Sequence, residues 1–434
     1  MREMKDSGIE WIGQIPSNWK IERMQWHLEE KNVGNNPVQT TNILSLTNKR
    51  GVIPYEEKGN QGNKSKEDVS GYKLAYPNTI VANSMNVIIG SVGLSKYYGC
   101  VSPVYYVFQA TNNANIEFFN YIFSVVGFQR ELRKYANGIL EIRLRVSADN
   151  ILKRPVAIPP DDEQARIVDF LNTKCSEIDA ISADIQKEIE ILEQYKRSVI
   201  TEAVTKGLNP DVEMKDSSVE WVGIIPASWT SSRLGYETYI RARLGWKGLK
   251  ADEYVDEGYA FISAFNIQNN KLVWTPLNYI TKERYDESPE IKLHIGDVII
   301  VKDGAGIGKC ARIDSLPMGE TAPNSSIGVI TPLAKLNYRY LAYYLQSAIF
   351  NNLILKLLNG MGVPHLTQEV LNKTPILLPP KQEQVRIANF LDSKCCEIDS
   401  AIETKKKQID ILDAYKKSLI YEYVTGKKEV PVQN

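Results

Sequence analysis

Residues 159–205 read PPDDEQARIVDFLNTKCSEIDAISADIQKEIEILEQYKRSVITEAVT, and residues 379–425 read PPKQEQVRIANFLDSKCCEIDSAIETKKKQIDILDAYKKSLIYEYVT. The two stretches are identical at 24 of 47 positions without a gap. A second repeat lies upstream of each stretch, because MKDSGIEWIGQIPSNW at residues 4–19 matches MKDSSVEWVGIIPASW at residues 214–229 at 10 of 16 positions. The chain is therefore an internal duplication, in which two repeated segments frame each of two central regions.

The central regions, residues 20–158 and 230–378, are similar in length but barely alignable. Both predict a mixture of strands and helices in the same order. Strand-like stretches begin at residues 42, 79, 87 and 104 of the first insert and at residues 259, 297 and 327 of the second, and helical stretches lie near residues 116–135 and 338–358. We therefore expect the two inserts to share a fold and to differ in their surfaces.

Each 47-residue stretch predicts a single long helix, which begins after a Pro-Pro pair and ends at Gly207 in the first copy and at Gly426 in the second. At 1.5 Å per residue, each helix would span about 65 to 70 Å. The apolar spacing predicts a heptad seam with one extra four-residue step, a stutter. The predicted seam of the first copy consists of Ile167, Leu171, Lys174, Ile178, Ile181, Ile185, Ile189, Leu192 and Val199, and that of the second of Ile387, Leu391, Ile398, Lys405, Ile409, Leu412 and Leu419.

Two such seams are expected to pack together. The first helix runs into one copy of the upstream repeat, and the other copy opens the chain. Equivalent neighbours for both copies require the helices to run antiparallel about a pseudo-twofold axis. A coiled coil that joins two separate chains is the alternative, and in both cases the helices are structural.

The predicted fold class is α+β, with two similar mixed α/β domains separated by two long helices packed as an antiparallel coiled coil with pseudo-twofold symmetry. The expected divisions are residues 1–158, 159–207, 208–378 and 379–427, followed by a tail at 428–434. Hydrophobic residues make up 43% of the chain and charged residues 24%, which is typical of globular proteins. No apolar run reaches the roughly 20 residues needed to cross a bilayer, and no secretory signal precedes the first repeat, so we expect cytoplasmic residence and no membrane partner.

Charge gives no bulk indication of nucleic-acid binding, because Lys plus Arg and Asp plus Glu both number 52. Two stretches are nevertheless basic, with seven basic and three acidic residues at 130–154 and five basic and one acidic at 233–250. His365 is in register with Arg145, since each lies ten residues before a proline that leads into the long helix. Guanidinium, amide and imidazole groups can contact phosphates or base edges, whereas solvated surface charge and turn-forming asparagines are the competing explanations. The candidate DNA contacts are Asn48, Lys49, Arg50, Asn83, Asn86, Arg143, Arg145, Arg241, Arg243, Lys247, Asn266, Gln268 and His365.

Catalytic and cofactor motifs are missing from the sequence. The run from Asp303 to Cys310 resembles a phosphate-binding loop but lacks its first glycine and its hydroxyl residue. The run from Pro210 to Lys215 resembles a nuclease signature whose two halves abut instead of lying on separate strands. The three histidines and five cysteines show no metal-ligand spacing, so we expect no metal, no cofactor and no catalytic residue.

The whole arrangement resembles the DNA-specificity subunit of type I restriction-modification enzymes. The resemblance rests on the paired Trp-(Ile/Val)-Gly-x-Ile-Pro-x-x-Trp motifs at residues 11–19 and 221–229, the paired Pro-Pro-x-x-Glu-Gln-x-Arg-Ile motifs at 159–167 and 379–387, and the two variable inserts. It implies a non-catalytic protein in which two target-recognition domains read the halves of a bipartite site in double-stranded DNA. The repeated helices would fix the spacing and bind two methyltransferase subunits, and the participation of restriction or translocating subunits stays open.

The residues that the resemblance implies as partner contacts are Glu163, Gln164, Arg166 and Tyr195 in the first helix and Glu383, Gln384, Arg386 and Tyr415 in the second. A free-standing DNA methyltransferase or nuclease with unrecognised motifs is the alternative function. A pure scaffold or a DNA mimic is a third, and the local basic stretches argue against mimicry.

Overall fold

The computed structural model describes residues 2–47, 50–59, 65, 67–137, 144–219, 222–242, 249–358 and 365–431. The chain divides into two compact units. The first unit comprises Met1–Ile185 with Lys407–Asn434, and the second comprises Gln186–Lys406. Each unit therefore combines one insert with a part of both long helices, and the unit boundaries fall inside the helices.

The first unit holds twelve strands among its described residues: β1 (Met4–Asp6), β2 (Gln14–Pro16), β3 (Lys20–Arg23), β4 (Leu28–Glu30), β5 (Leu44–Thr47), β6 (Gly51–Pro54), β7 (Lys73–Ala75), β8 (Thr79–Asn83), β9 (Val92–Ser95), β10 (Gly99–Val101), β11 (Tyr105–Ala110) and β12 (Pro155–Ile158). Its helices are α1 (Ile116–Ser124), α2 (Val126–Arg133), α3 (Ala148–Leu152) and the first part of α4 (Asp161–Lys206).

The strands of the second unit, again among described residues, are β13 (Met214–Asp216), β14 (Ile224–Pro226), β15 (Thr230–Arg233), β16 (Thr238–Arg241), β17 (Tyr259–Ile262), β18 (Ile267–Gln268), β19 (Lys271–Leu272), β20 (Asn278–Ile280), β21 (Val298–Val301), β22 (Cys310–Arg312), β23 (Thr321–Pro323), β24 (Ile327–Pro332) and β25 (Pro375–Leu378). Its helices are α5 (Leu234–Glu237), α6 (Lys282–Asp286), α7 (Tyr338–Gln346), α8 (Ala348–Leu358), α9 (Gln368–Lys373) and the first part of α10 (Lys381–Val424). Within the parts of the chain described above, none of the helices combines the length and the apolarity that crossing a membrane requires.

Both units are built on the same four-stranded antiparallel sheet. The strand order is β4-β11-β8-β9 in the first unit and β16-β24-β21-β22 in the second. Helices α1 and α2 complete the main core of the first unit, and α7 and α8 that of the second. The expectation that the divergent inserts share a mixed α/β fold is confirmed. One predicted strand is wrong, because Val87–Ile89 forms a short 3-10 helix that Gly90 ends in the left-handed conformation, at φ +81°.

The long helices carry a continuous heptad seam. The buried and half-buried positions that repeat along α4 are 171, 175, 178, 182, 185, 189, 192, 196, 199 and 203, and those along α10 are 391, 395, 398, 402, 405, 409, 412, 416, 419 and 423. The steps alternate between four and three throughout, so the predicted stutter is wrong. Ile181 was assigned to the seam but is 50% exposed, and Ser182 takes the place beside it. The apolar pattern misled because Cys175, Ser182 and Lys196 occupy seam positions.

The two helices pack as an antiparallel coiled coil, and a duplicated ion pair shows their direction. In the second unit, Lys196 Nζ of α4 lies 2.6 Å from Asp399 Oδ1 of α10. In the first unit, Lys416 Nζ of α10 lies 2.6 Å from Asp179 Oδ1 of α4. Each residue of one pair stands 220 positions from its counterpart in the other pair, which is the offset of the repeat. Each helix therefore supplies the lysine of one pair and the aspartate of the other, at repeated positions.

The first copy of the upstream repeat forms the hairpin β1-β2 and fastens both helices of its unit. Trp19 is fully buried, and its Nε1 donates to Glu163 Oε2 at 2.9 Å. Arg2 pairs with the same carboxylate and donates from Nη2 to the Gly426 carbonyl at 3.0 Å. Glu163 at the start of α4 is thereby tied to the hairpin and, through Arg2, to the end of α10.

The second copy of this arrangement is incomplete. Val212 stands where the first copy has Arg2. Trp229 is fully buried like Trp19, but its Nε1 has no hydrogen-bond partner among the described residues. Both hairpins therefore bury an equivalent tryptophan, but only the Trp19 indole N–H has a hydrogen-bond acceptor among the described residues.

Candidate nucleic-acid interface

One loop lies at the same place in both sheets. We call it the central loop: residues 84–91 between β8 and β9 in the first unit, and residues 302–309 between β21 and β22 in the second. Gly304 and Gly308 adopt φ values of +80° and +85°, which strain any other residue. The glycines that resemble a phosphate-binding loop thus serve the turns of this connection.

Asn83, a candidate DNA contact, is the last residue of β8 and directly precedes the central loop of the first unit. Asn83 is buried, and its Oδ1 accepts a hydrogen bond from Met85 N at 3.1 Å. Its side chain therefore shapes the turn, and the candidate is corrected to a structural residue. Asn86, three residues further, is exposed on the same loop.

A short segment reaches each central loop from the far end of the insert. Val146 N donates to Ser84 O at 3.1 Å, and Leu366 N donates to Lys302 O at 2.9 Å. Ser84 and Lys302 are equivalent, because each directly follows the matched strand β8 or β21. Arg145 and His365 therefore occupy equivalent backbone positions beside the central loop, and both are exposed.

In the first unit, β6 begins beside β9, the strand that follows the central loop. Gly51 lies so close to Gly93 that a Cβ on Gly93 would be 2.9 Å from its Cα. Arg50 precedes this contact, is exposed and pairs with Glu57. The other two candidates between β5 and β6, Asn48 and Lys49, lie outside the described residues, as do Arg143, Arg243 and Lys247.

In the second unit, a longer connection after β17 occupies the corresponding place. A groove of about 510 Å³ separates it from the central loop and is lined by Phe265, Gln268 and Lys309 among others. Phe265 is 65% exposed, and Gln268 and Lys309 are exposed as well. Sequence reasoning singled out Gln268 but missed Phe265 and Lys309, because nothing local distinguishes an exposed aromatic or lysine from a buried or paired one.

Asn266 on the same connection is not a surface residue. It is 4% exposed, and its Nδ2 donates to the carbonyls of Val273 at 3.2 Å and Pro276 at 2.9 Å. Its Oδ1 accepts from Ser263 N at 3.0 Å. The candidate DNA contact is therefore corrected: Asn266 organises the turn that holds Phe265 in solvent.

Arg241 is likewise corrected. Its guanidinium is buried beneath the sheet, where Nη2 lies 2.7 Å from Asp297 Oδ2 and 2.8 Å from Thr331 Oγ1. Nη1 donates to the Glu290 and Lys292 carbonyls at 3.3 and 3.1 Å. Because these acceptors occupy the guanidinium inside the protein, Arg241 cannot reach a phosphate and instead joins β16 to β24 and to the start of β21.

Several of the described basic residues at 130–154 have local partners. Lys134 pairs with Glu131, and Lys153 pairs with Asp149. Arg154 lies 3.5 Å over the ring of Tyr135 and donates to a backbone carbonyl. Arg145 forms no ion pair with any described residue and is exposed beside the central loop.

Each insert is also fastened to its long helix at one repeated position. In the second unit, Asp392 of α10 accepts from Arg312 Nη1 at 2.6 Å, Arg339 Nη1 at 2.8 Å and Tyr343 OH at 2.7 Å. Burial acts to raise the pKa of Asp392, but the hydrogen bonds from Tyr343 and the arginines outweigh it and hold the pKa below its usual value. The carboxylate therefore remains charged and binds α7 firmly.

In the first unit, Asn172 stands at the position equivalent to Asp392. Tyr121 OH donates to Asn172 Oδ1 at 2.7 Å, and Asn172 Nδ2 donates to Glu117 Oε2 at 2.7 Å. The Asn172 amide pairs with Glu117 of α1, whereas the Asp392 carboxylate pairs with Arg339 of α7. Each insert thus carries side chains complementary to its own helix.

Four of the predicted partner contacts at the helix starts prove to have different surroundings from those expected. Glu163 bonds Trp19 and Arg2 within its own unit. Gln164 and Gln384 are buried and donate to the Pro159 and Pro379 carbonyls, both at 2.9 Å. These three candidates are corrected, because Glu163 is engaged by the hairpin and Arg2, and the two glutamines hold the Pro-Pro turns. Glu383 is half-buried beside Gly207. Arg166 and Arg386 remain exposed on the first turns.

The outer faces of the helices carry one exposed apolar pair in each unit. Ile191 is 62% and Tyr195 49% exposed on α4 in the second unit. Ile411 is 66% and Tyr415 55% exposed on α10 in the first unit. The pairs are related by the repeat and lie one helical turn apart on each helix, so they form two equal apolar patches. Both tyrosines are among the predicted partner contacts, whereas the isoleucines are not, because each directly precedes a seam leucine, Leu192 or Leu412.

Comparison with known proteins identifies this architecture. A family model described as the type I restriction modification DNA specificity domain matches residues 21–191 and again residues 245–415. The chain belongs to this family. The first match contains nearly all of the first insert, and the second contains the second insert from residue 245 onward; each also includes most of one long helix. Membership makes the chain a DNA-recognition subunit instead of a catalytic one.

Individual relatives agree with the family. The MjaVIII specificity subunit of a type I restriction enzyme from Methanocaldococcus jannaschii is 28% identical over 63% of this chain and 62% of that subunit. The putative MjaX specificity subunit from the same organism is 24% identical over 96% of both chains. This chain thus spans less than two thirds of the first relative and nearly all of the second.

The fold is also found among solved structures. A chain from a structure that describes complex assembly and conformational transition of the type I R-M system has a TM-score of 0.70, with 16% identity over 95% of this chain and 99% of that one. At this identity the likeness concerns the fold. The specificity-subunit fold expected from the repeats is therefore confirmed.

Proposed function

We propose that each unit reads one half of a bipartite site in double-stranded DNA through its central loop and the segments beside it. The proposal rests on one observation: the backbone around the central loop is arranged alike in both units, whereas the exposed side chains there differ. In the first unit Asn86 lies on the central loop, Arg145 lies beside it, and Arg50 precedes Gly51, which packs against β9. In the second unit Lys309 lies on the central loop, with His365 and Gln268 beside it. A common frame suits the common shape of duplex DNA, and different exposed side chains suit different base sequences.

In this proposal, the affinity for DNA comes from a few unpaired cations and from base contacts. The linkage of two DNA-binding units in one chain adds to it. Each half-site alone would be bound weakly, and the linkage of two readers in one chain multiplies their affinities. Helix α4 runs from one unit into the other, so its length would set the distance between the half-sites. Cytoplasmic residence follows, since the DNA to be read lies there.

The DNA-reading proposal is tested by selection. The full chain, co-purified with the methyltransferase subunit of its own host, is used to select duplexes from a random library at a stated salt concentration. We expect two short sequence blocks separated by a spacer of fixed length and free sequence. Enrichment of one continuous block, or none, would contradict the proposal.

We further propose that the two apolar patches bind methyltransferase subunits, one at Ile191 and Tyr195 and one at Ile411 and Tyr415. Exposed aromatic residues are favourable anchors in protein interfaces, and the repetition of the patch fits two copies of one partner. The partner would supply the adenine-modifying chemistry, which requires a base flipped out of the duplex, and this chain would supply the address.

Tyr195→Ala is expected to weaken one methyltransferase site and Tyr415→Ala the other, each by about thirtyfold, because truncating a buried interface aromatic costs about 2 kcal/mol or more. Titration calorimetry and native mass spectrometry of the complex measure affinity and copy number. Tyr236→Ala is the matched control, since Tyr236 is 71% exposed but lies on the second insert. Loss of neither copy in the double variant would show that the partner binds elsewhere.

A further inference from the structure

We infer that positions 145 and 365 are matched base-reading positions of the two units, and that Arg145 reads a guanine in the half-site of the first unit. The inference rests on the proposed function, because it presupposes that the central loops face DNA. It assigns a base-specific role to one residue of each unit.

The backbone at both positions is held by hydrogen bonds, and both side chains are exposed. Arg145 and Asn137 exchange two backbone hydrogen bonds, of 2.9 and 2.8 Å, and Val146 next to it is fully buried. His365 forms an isolated bridge with Asp303, and Leu366 next to it is 1% exposed. A buried anchor beside an exposed side chain fixes where that side chain starts, which base reading requires.

The difference between the two positions separates base reading from phosphate binding. Phosphates are the same in every sequence, so a residue that only grips phosphate would be a cation in both units. Position 145 carries a guanidinium, whereas position 365 carries an imidazole whose Nδ1 contacts the Asp303 carboxylate. An imidazole beside a carboxylate is a poor phosphate ligand. A position that changes chemistry on a conserved backbone frame is therefore suited to sequence discrimination.

Arg145 has the donors that guanine requires. Its guanidinium presents a planar fork that can donate to O6 and N7 of guanine in the major groove together. Met85 stands where the second unit has Asp303, so no carboxylate is placed to neutralise the fork at that position. At this position the first unit thus has the Arg145 guanidinium with Met85 as its neighbour, and the second has the His365 imidazole paired with Asp303.

His365 offers a different hydrogen-bonding capacity. Its Nδ1 is occupied by the Asp303 carboxylate, so Nε2 alone remains and can form a single hydrogen bond. One hydrogen bond from a ring nitrogen cannot reproduce the two parallel bonds that a guanidinium donates to guanine. The second unit is therefore expected to prefer a different base at its matched position.

The test compares Arg145→Ala with Arg145→Lys in the full chain co-purified with its methyltransferase subunit. Random-library selection gives the preferred bases, and competition binding at fixed salt measures the cognate duplex against duplexes changed at one base pair. We expect both variants to lose about ten- to hundredfold discrimination at one guanine of one block, because lysine keeps the charge but not the fork. His365→Ala should alter one position of the other block only.

Three results would overturn the inference. If Arg145→Lys keeps wild-type discrimination while Arg145→Ala weakens binding to all duplexes equally, the residue contacts phosphate only. If the discriminated base is not guanine, the assignment is wrong. If the wild-type complex selects no bipartite site at all, the proposed function itself fails, and that result differs from the first two. Thermal unfolding checks that the exposed substitutions leave the fold intact.

Discussion

Replacement of Asp297 by alanine is expected to lower the free energy of unfolding of the second unit by about 3 to 5 kcal/mol, since it leaves a buried charge without its counterion. Asp297 is 1% exposed and Arg241 8%. The carboxylate accepts from Arg241 Nη2 at 2.7 Å and from His294 N at 2.8 Å, and it also bonds the Thr331 hydroxyl. Without it, the buried Arg241 guanidinium keeps only backbone carbonyls and one hydroxyl as partners.

Urea unfolding measures the loss, and hydrogen exchange should locate it in β16, β21 and β24, the strands that this pair joins. Asp314→Ala is the matched control. Asp314 also pairs with an arginine, Arg312, at 2.7 Å, but its side chain is 50% exposed. A surface ion pair of this kind contributes about 1 kcal/mol or less. Equal losses in the two variants would contradict the structural role assigned to Arg241.

The structure of the repeated segments could be predicted from sequence, because two nearly identical sequence segments in one chain are expected to adopt the same structure. The helix starts at Pro159 and Pro379, the stop at Gly207 and the antiparallel direction all followed from the duplication. The seam could be predicted only in part. Its register depends on burial between two helices, and Ser182 and Lys196 occupy buried or half-buried seam positions that a hydrophobic pattern does not reveal.

The candidate site was harder to predict, because charge and amide content do not reveal burial. Arg241 belongs to a basic stretch, yet its partner Asp297 lies 56 residues away and draws it inside. Asn266 and Gln268 are two residues apart, but one organises a turn and the other lies on the surface. Only the matched spacing of Arg145 and His365 placed two candidates at equivalent positions without the fold.

Repetition also pointed to buried residues on the helices. Gln164 and Gln384 hold the same Pro-Pro turn in each unit, and Glu163 bonds Trp19 and Arg2 in the first unit. A partner site requires exposure, which the sequence shows only indirectly. An apolar residue next to the seam but outside its register, such as Ile191 or Ile411, is the signal that the sequence offers.

The central claim is that one insert specifies one half of the DNA site. It is tested by replacing residues 20–158 with the corresponding insert of another family member and mapping methylated sites in host DNA by single-molecule sequencing. The residue at position 172 should be chosen to fit the incoming insert. Asn172 pairs with Glu117. An insert with an arginine in place of Glu117 would need aspartate at position 172, as in the pair of Asp392 with Arg339. This change keeps the new insert fastened to α4.

The account predicts that one sequence block changes while the other block and the spacer length stay the same. The reciprocal replacement of residues 230–378 should change only the other block, which makes each chain the control for the other. A change of both blocks by a single replacement, or a new spacer with both blocks retained, would contradict the claim.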